Sequence, residues 1–294
     1  MRLHIAHTTT YAYARPVSFQ RHRLVLRPRE GHDLRVERLQ LQLTPAAATV
    51  RWIRDVFGNS IALVDWLETA DTLTIVNDVV LERMVPFPTR ELHEPWVVPF
   101  PPRYDPLEAA VTAVYCTPSY LEDTQALQAW LRAELTTLPH DAEGTMLALC
   151  RLIFSTVKYL RRLEKGVQTP AQTLALKTGS CRDMATLMME AARLSGVAAR
   201  FASGYLHGFA SLAGAASTHA WTEVYLPTLG WRGFDPTIGD VTSSQHIVTG
   251  VSSHPRGVMP ISGTFHGAAA DFLGLRVTVK TTELPEAADG ASMS

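Results

Sequence analysis

Leu39, Leu41 and Leu43 alternate with Arg38, Gln40 and Gln42, so every second side chain is apolar. A period of two is that of a strand with one buried face. Leu73, Ile75, Val79 and Leu81 repeat the pattern, with Asn77 as a break in the apolar face. Phe57-Gly58-Asn59-Ser60 is a turn signal between two short apolar runs. With no helical period over residues 1–85, this stretch is predicted to be an antiparallel β-sandwich domain.

The pattern then breaks at Pro86, Pro88, Pro95, Pro99, Pro101, Pro102 and Pro106. Proline lacks the backbone donor that a central strand or helix interior requires, so residues 86–118 read as a linker. Helices are predicted over 121–135 and 145–160, and a short one is predicted to begin at Thr169-Pro170. A fourth starts after Ser180, where Asp183 three residues on completes a capping-box pattern. Its apolar stripe is Met184, Leu187, Met188, Ala191 and Leu194, and Gly196 is its stop. The period returns to two over 198–206, 220–226 and 231–234, with a last strand at 273–280. Helices followed by strands predict an α+β core over 119–282, and the small and acidic residues of 283–294 predict a frayed tail.

Composition narrows the function classes. The chain has 294 residues, 19% charged, and a formal net charge of −1, so no global field draws it to nucleic acid. Residues 1–60 hold ten arginines and four acids, whereas 61–150 hold four arginines and fourteen acids. The expectation is that sheet faces of opposite charge attract each other, with a partner surface as the alternative. No apolar run approaches the roughly 20 residues that span a membrane. Cys116, Cys150 and Cys181 are too few and too irregularly placed for a disulfide framework, which predicts a reduced, cytoplasmic protein. There is no HExxH, CxxC, glycine-rich phosphate loop or EF-hand spacing, so neither a metal nor a cofactor is expected.

Chemistry concentrates after residue 178. Cys181 takes the first position of the fourth helix, where unpaired backbone donors and the helix dipole favour a thiolate. Arg182 adds positive charge, Gly179 lets backbone approach a substrate, and the N–H groups after Ser180 offer part of an oxyanion hole. His219 opens a strand whose face carries Trp221, Glu223 and Tyr225, while Ala220, Thr222, Val224 and Leu226 face the core. Asp235 ends the 231–234 strand, just before Pro236. If the two strands are neighbours, the carboxylate orients one imidazole nitrogen and the other faces the sulfur. Glu223 and Asp240 are rival acids, placed less well. Trp221, two residues beyond the histidine, joins Gly179, Ser180 and Arg182 as a candidate substrate or oxyanion residue.

These residues also carry a resemblance. Thr178-Gly179-Ser180-Cys181-Arg182-Asp183, Ser203-Gly204-Tyr205, His219-Ala220-Trp221-Thr222-Glu223-Val224-Tyr225 and Gly230-Trp231-Arg232-Gly233-Phe234-Asp235-Pro236-Thr237, preceded by Thr169-Pro170, occur in this order. Together they resemble the transglutaminase-like core of bacterial proteins. The stretches His7-Thr8-Thr9-Thr10-Tyr11 and Leu24-Val25-Leu26-Arg27-Pro28 are similar to the β-rich N-terminal region of such proteins. The resemblance implies a papain-like fold, Cys181 as nucleophile, His219 as base, Asp235 as orienting acid, and a thioester intermediate. It implies a peptide or protein amide substrate, with water or a primary amine as acceptor. Met184 departs from the pattern, where an aromatic residue usually follows the Arg-Asp pair. The competing expectation is a non-catalytic binding module that offers the basic Arg15–Arg38 segment to an acidic partner.

Overall fold

The computed structural model describes residues 1–84, 97–136, 139–162, 166–207 and 218–285. Pro86, Pro88 and Pro95, the segment Gly208–Ala216 and the tail beyond 285 lie outside the described residues.

The N-terminal region is a sandwich of two antiparallel sheets. Its strands are β1 (Arg2–Phe19), β2 (His22–Leu24), β3 (Leu34–Thr44), β4 (Thr49–Arg54), β5 (Ser60–Asp65) and β6 (Thr69–Arg83). β1 and β6 pair along most of their length, and β3 flanks β6, while β2, β5 and β4 form the facing sheet. Leu73, Ile75, Val79 and Leu81 of β6 point inward as their alternation predicts. Asn77 is no break in that face: it is equally buried, and its amide donates to the Leu26 carbonyl and the Tyr205 hydroxyl.

The helical part follows: α1 (Pro106–Cys116), α2 (Thr124–Glu134), α3 (Ala142–Thr156), α4 (Pro170–Leu176) and α5 (Cys181–Leu194). α1 corrects the expected linker. Pro106 takes its first turn, where the missing donor is harmless, and the Asp105 carboxylate caps the Leu107 N–H. The helix expected over 145–160 ends at Thr156, because Lys158–Tyr159 (β7) pairs in parallel with Thr178–Gly179 (β8). α5 is buried on nearly every side, not along one stripe. α1, α2, α3 and α4 pack around it, and the core sheet closes its remaining face. Even its Glu190 and Arg193 are interior, paired to each other, with Glu190 accepting from Ser119 and Tyr120 N–H groups and Arg193 donating to the Ala199 and Ser253 carbonyls.

The core sheet is antiparallel in the order β12 (Asp240–Val241), β11 (Gly230–Asp235), β10 (Thr218–Leu226), β9 (Ala199–Leu206), β13 (His246–Ser252). Thr222 lies opposite Phe234, so β10 and β11 are the hairpin neighbours that the site requires. Ala220, Val224 and Leu226 enter the core cluster with α5, and the Thr222 hydroxyl donates to the Ala185 carbonyl. At Gly204 a Cβ would come 2.0 Å from the Ile247 carbonyl oxygen, so only glycine allows β9 and β13 to approach there.

The chain then returns to its beginning. β14 (Ile261–Ser262) pairs with β2, β15 (Phe265–His266) with the end of β1, and β16 (Phe272–Leu284) with β1 from Arg2 to Tyr13. The predicted core boundary at 282 is therefore corrected: residues from 261 to 284 complete the sandwich, and Glu283 and Leu284 belong to a paired strand. This closure covers the edge that β1 would otherwise expose.

The basic N-terminal segment is neutralised at home. Arg15 pairs with Asp271, Arg21 with Asp65, Arg23 with Asp55, Arg27 with Glu30, Arg35 with Glu82 and Arg38 with Asp78. Arg29 donates to Asn59 and the Phe57 carbonyl. Each of these arginines thus has a partner within the chain. Among the described residues no helix is long and apolar enough to cross a membrane.

Candidate active site

Three elements bring the predicted residues together. Ser180 caps α5, which places Cys181 at its first position, half in a wall and 9% exposed. Its own N–H, at the helix start, has no intrahelical acceptor. β10 carries His219, and β11 ends on Asp235 beside it. Nε2 of His219 lies 2.7 Å from Oδ2 of Asp235. Nδ1 is the ring's other nitrogen, and Cys181 lies near enough to the ring to add to its basicity.

Charge holds the arrangement. Burial alone would lower the His219 pKa, but the Asp235 carboxylate outweighs it, Cys181 adds to the effect, and the imidazole is pushed up to about 10. Burial would likewise raise the Asp235 pKa, yet His219 and His246 hold its carboxyl well below the usual carboxylate range. Asp235 is fully buried and satisfied on both oxygens. Oδ1 accepts from the Thr237 N–H at 2.9 Å and the Thr237 hydroxyl at 2.7 Å. Oδ2 faces two imidazoles, His219 and, at 3.2 Å, Nε2 of His246.

Two residues had roles that the sequence did not disclose. His246 lies eleven positions past Asp235, at the start of β13 and outside every motif noted above. Asp183 was read as a cap. It is a fully buried hub that accepts from Arg162 Nη1 at 2.8 and 2.9 Å, from the Gln168 N–H at 2.7 Å, and from the N–H and hydroxyl of Ser180 at 2.8 Å. It ties Arg162 and Gln168 to the helix end that carries the thiol. Tyr159 also lies near that end: burial raises its phenol pKa, and the charge of Cys181 adds to the rise.

The candidate substrate residues sort differently. Arg182 is half-buried and donates to the Arg162 carbonyl at 3.4 Å. A Cβ on Gly179 would sit 3.0 Å from the Asp183 Cβ, so the glycine there makes room for the hub. Ser180 is buried and engaged with Asp183. Trp221 is 1% exposed, with its ring 6.2 Å from that of His219 and edge-on to His246 at 5.2 Å. It backs the His219 imidazole from within the fold. Of the rival acids, Glu223 is bound to Arg200, and Asp240 lies opposite Asp235 on exposed β12. The other thiols are raised by burial, Cys150 with further opposition from Asp235 and Asp240.

His219, Asp235 and His246 are also the donor types that metals use, with their atoms within 4.8 Å of one another. Their hydrogen bonds account for them fully. The Ser243 N–H donates to Nδ1 of His246 at 3.1 Å, so the ring proton is on Nε2, where it is given to Asp235 and no lone pair is presented.

Comparison with known proteins agrees with this architecture. Residues 3–82 match the bacterial transglutaminase-like N-terminal region, and residues 117–236 match the transglutaminase-like superfamily. An uncharacterized Mycobacterium tuberculosis protein is 27% identical over 282 residues, covering 90% of this chain and 88% of its own. A Mycobacterium leprae counterpart is 25% identical over 299 residues, covering 96% and 99%. The crystal structure of a candidate cysteine protease from Cytophaga hutchinsonii superposes with a TM-score of 0.74 at 17% identity, covering 97% of this chain and 91% of that one. The fold is thus shared over nearly the whole length, and the chain belongs to the transglutaminase-like superfamily, with the bacterial N-terminal region ahead of its core.

Proposed function

We propose that the chain is a thiol-dependent enzyme of amide bonds, a hydrolase or acyltransferase, with Cys181 as nucleophile, His219 as base and Asp235 as orienting acid. One observation carries the reading: a single imidazole has the Asp235 carboxylate on Nε2 at 2.7 Å and the helix-start thiol near enough to add to its basicity. Family membership and the fold shared with the Cytophaga hutchinsonii protein add support.

The chemistry follows from proton positions. The Cys181 proton passes to Nδ1 of His219, and the imidazolium is stabilised by Asp235. The thiolate attacks the carbonyl carbon of a peptide, glutaminyl or isopeptide amide. The oxyanion gathers at the start of α5, where the Cys181 N–H has no intrahelical acceptor. Collapse breaks the C–N bond, and the Nδ1 proton leaves with the amine. A thioester remains on Cys181. Water or a primary amine then attacks it, His219 takes the proton, and the thiolate departs. Water yields an acid and amine yields a new amide. Three free cysteines favour the cytoplasm as the compartment that belongs to this reading.

The test is labelling by a thiol-reactive, amide-site probe. Cys181→Ala is expected to abolish labelling, while Cys116→Ala and Cys150→Ala still label. Equal labelling of the Cys181→Ala protein refutes the assignment.

A further inference from the structure

We infer that His246 is a positioning residue for Asp235, a neutral donor that fixes the carboxylate toward His219 and is itself seated by the N-terminal sandwich through Arg83. The inference rests on the thiol chemistry proposed above and goes beyond it, since no motif contains this histidine.

The geometry is specific on every side. The ring is 4% exposed. Nδ1 accepts from the Ser243 N–H at 3.1 Å, and the Nε2 proton points at Oδ2 of Asp235, 3.2 Å away. Both ring nitrogens are therefore used, each in one role only. A buried ring of this kind needs its partners: a phenyl group of similar size would strand the Ser243 N–H and leave Oδ2 with His219 alone. Thr237 already holds Oδ1 twice, so the second donor on Oδ2 is what stops the carboxylate plane from turning with the catalytic imidazole.

The backbone of His246 is held from two domains. On the core side, His246 pairs with Leu206 of β9, and the His207 N–H donates to the Gln245 carbonyl at 2.9 Å. On the other side Arg83, in β6 of the sandwich, donates through Nη2 to the His246 carbonyl at 3.0 Å, while its Nη1 is bound to Asp33 at 2.6 Å. The sandwich thus reaches the orienting acid through one residue. This gives it a part in the active site that needs no ligand of its own.

The charged and titratable groups around this point are few among the described residues. Asp235 of β11 and His219 of β10 face the ring, the latter at 6.1 Å between ring centres. Arg83 and Asp33 lie behind its carbonyl. Cys150 and Tyr159 sense the Asp235 charge from the helical side. With His246 neutral, its donated proton draws charge from Oδ2. Removing it leaves more charge for His219 to feel, so the imidazolium keeps its proton to higher pH.

The test is a pH titration of the full chain, labelled with 15N at its histidines and read by NMR. In the unsubstituted protein, His246 is expected to show a neutral ring protonated at Nε2. His246→Leu is expected to raise the His219 midpoint by roughly half to one pH unit, the size of one hydrogen bond. His246→Gln, which keeps an N–H at similar reach, is expected to restore most of it. A proton on Nδ1 of His246 overturns the inference even if the leucine variant does not fold. So does an unmoved His219 midpoint in folded His246→Leu, or a glutamine variant that shifts as far as leucine. Failure of the thiol reading is told apart by the probe: it shows as an unlabelled Cys181 in the unsubstituted protein, whatever the histidine spectra report.

Discussion

Two walls of the site are each built on a buried aspartate, and they do opposite things. Asp183 and Asp235 are both fully buried and both satisfied on both oxygens. Asp183 is bound to a guanidinium, to N–H groups of the chain and to the Ser180 hydroxyl, none of which changes its charge at ordinary pH. Asp235 is bound to two imidazoles. The acid is the same and so is the burial. The partner decides whether the carboxylate is a rivet or part of a proton path. One wall keeps the helix end of Cys181 where it is, and the other governs the charge of the His219 imidazole.

The strongest way to break this contrast is to neutralise each acid in turn. Asp235→Asn is expected to slow acylation of Cys181 by the amide-site probe by about 10²–10⁴-fold, because the amide no longer selects the imidazole tautomer or stabilises its cation. Stopped-flow labelling measures it. Asp183→Ala is expected to act on stability first, costing about 3–5 kcal/mol, since Arg162 is left beside an empty buried site. Urea unfolding measures it. If the two variants exchange these signatures, the distinction between rivet and proton path is wrong.

A gentler probe is pH. The His219 pKa is raised, so its pairing with Asp235 contributes stability that is fully present below 6.5 and is lost as pH climbs through about 10. The Asp235 pKa is lowered, so the same contact is kept above 3.8 and is lost as pH falls further. The gap in unfolding free energy between the unsubstituted protein and His219→Gln is therefore expected to be widest from about pH 4 to 6.5 and to narrow toward pH 10. A gap that widens with rising pH contradicts the ion pair. The smallest effect belongs to Gly179→Ala. Its Cβ would press on Asp183 at 3.0 Å, for a cost of about 1–2 kcal/mol with the probe rate little changed.

What the sequence discloses about this site is what is local. A cap, a helix start, a strand start and a strand end placed Cys181, His219 and Asp235, because each is a property of a few neighbouring residues. Asp183 was visible as a cap, but its partners Arg162 and Gln168 come from a stretch whose sequence has no period. His246 follows a turn at the head of a strand, where a histidine has no pattern to stand out from. The return of β16 to β1 is a pairing between opposite ends of the chain, which no window can see. Asp105-Pro106 did carry a helix-start signal, and the surrounding prolines hid it. Trp221 is a substrate candidate because alternation puts it on the His219 face, but alternation cannot tell a face that lines a cleft from one where the ring packs with Ala202, Val251 and Phe57.

The central claim is that an acyl group passes through the sulfur of Cys181. The direct measurement is the intact mass of the protein, quenched in acid during turnover of a glutamine-containing peptide mixture, followed by mapping of the modified residue. The account predicts an added acyl mass on Cys181, removed by hydroxylamine and absent from Cys181→Ala. Amide turnover that persists in Cys181→Ala, or an acyl mass that maps to Cys116 instead, contradicts it.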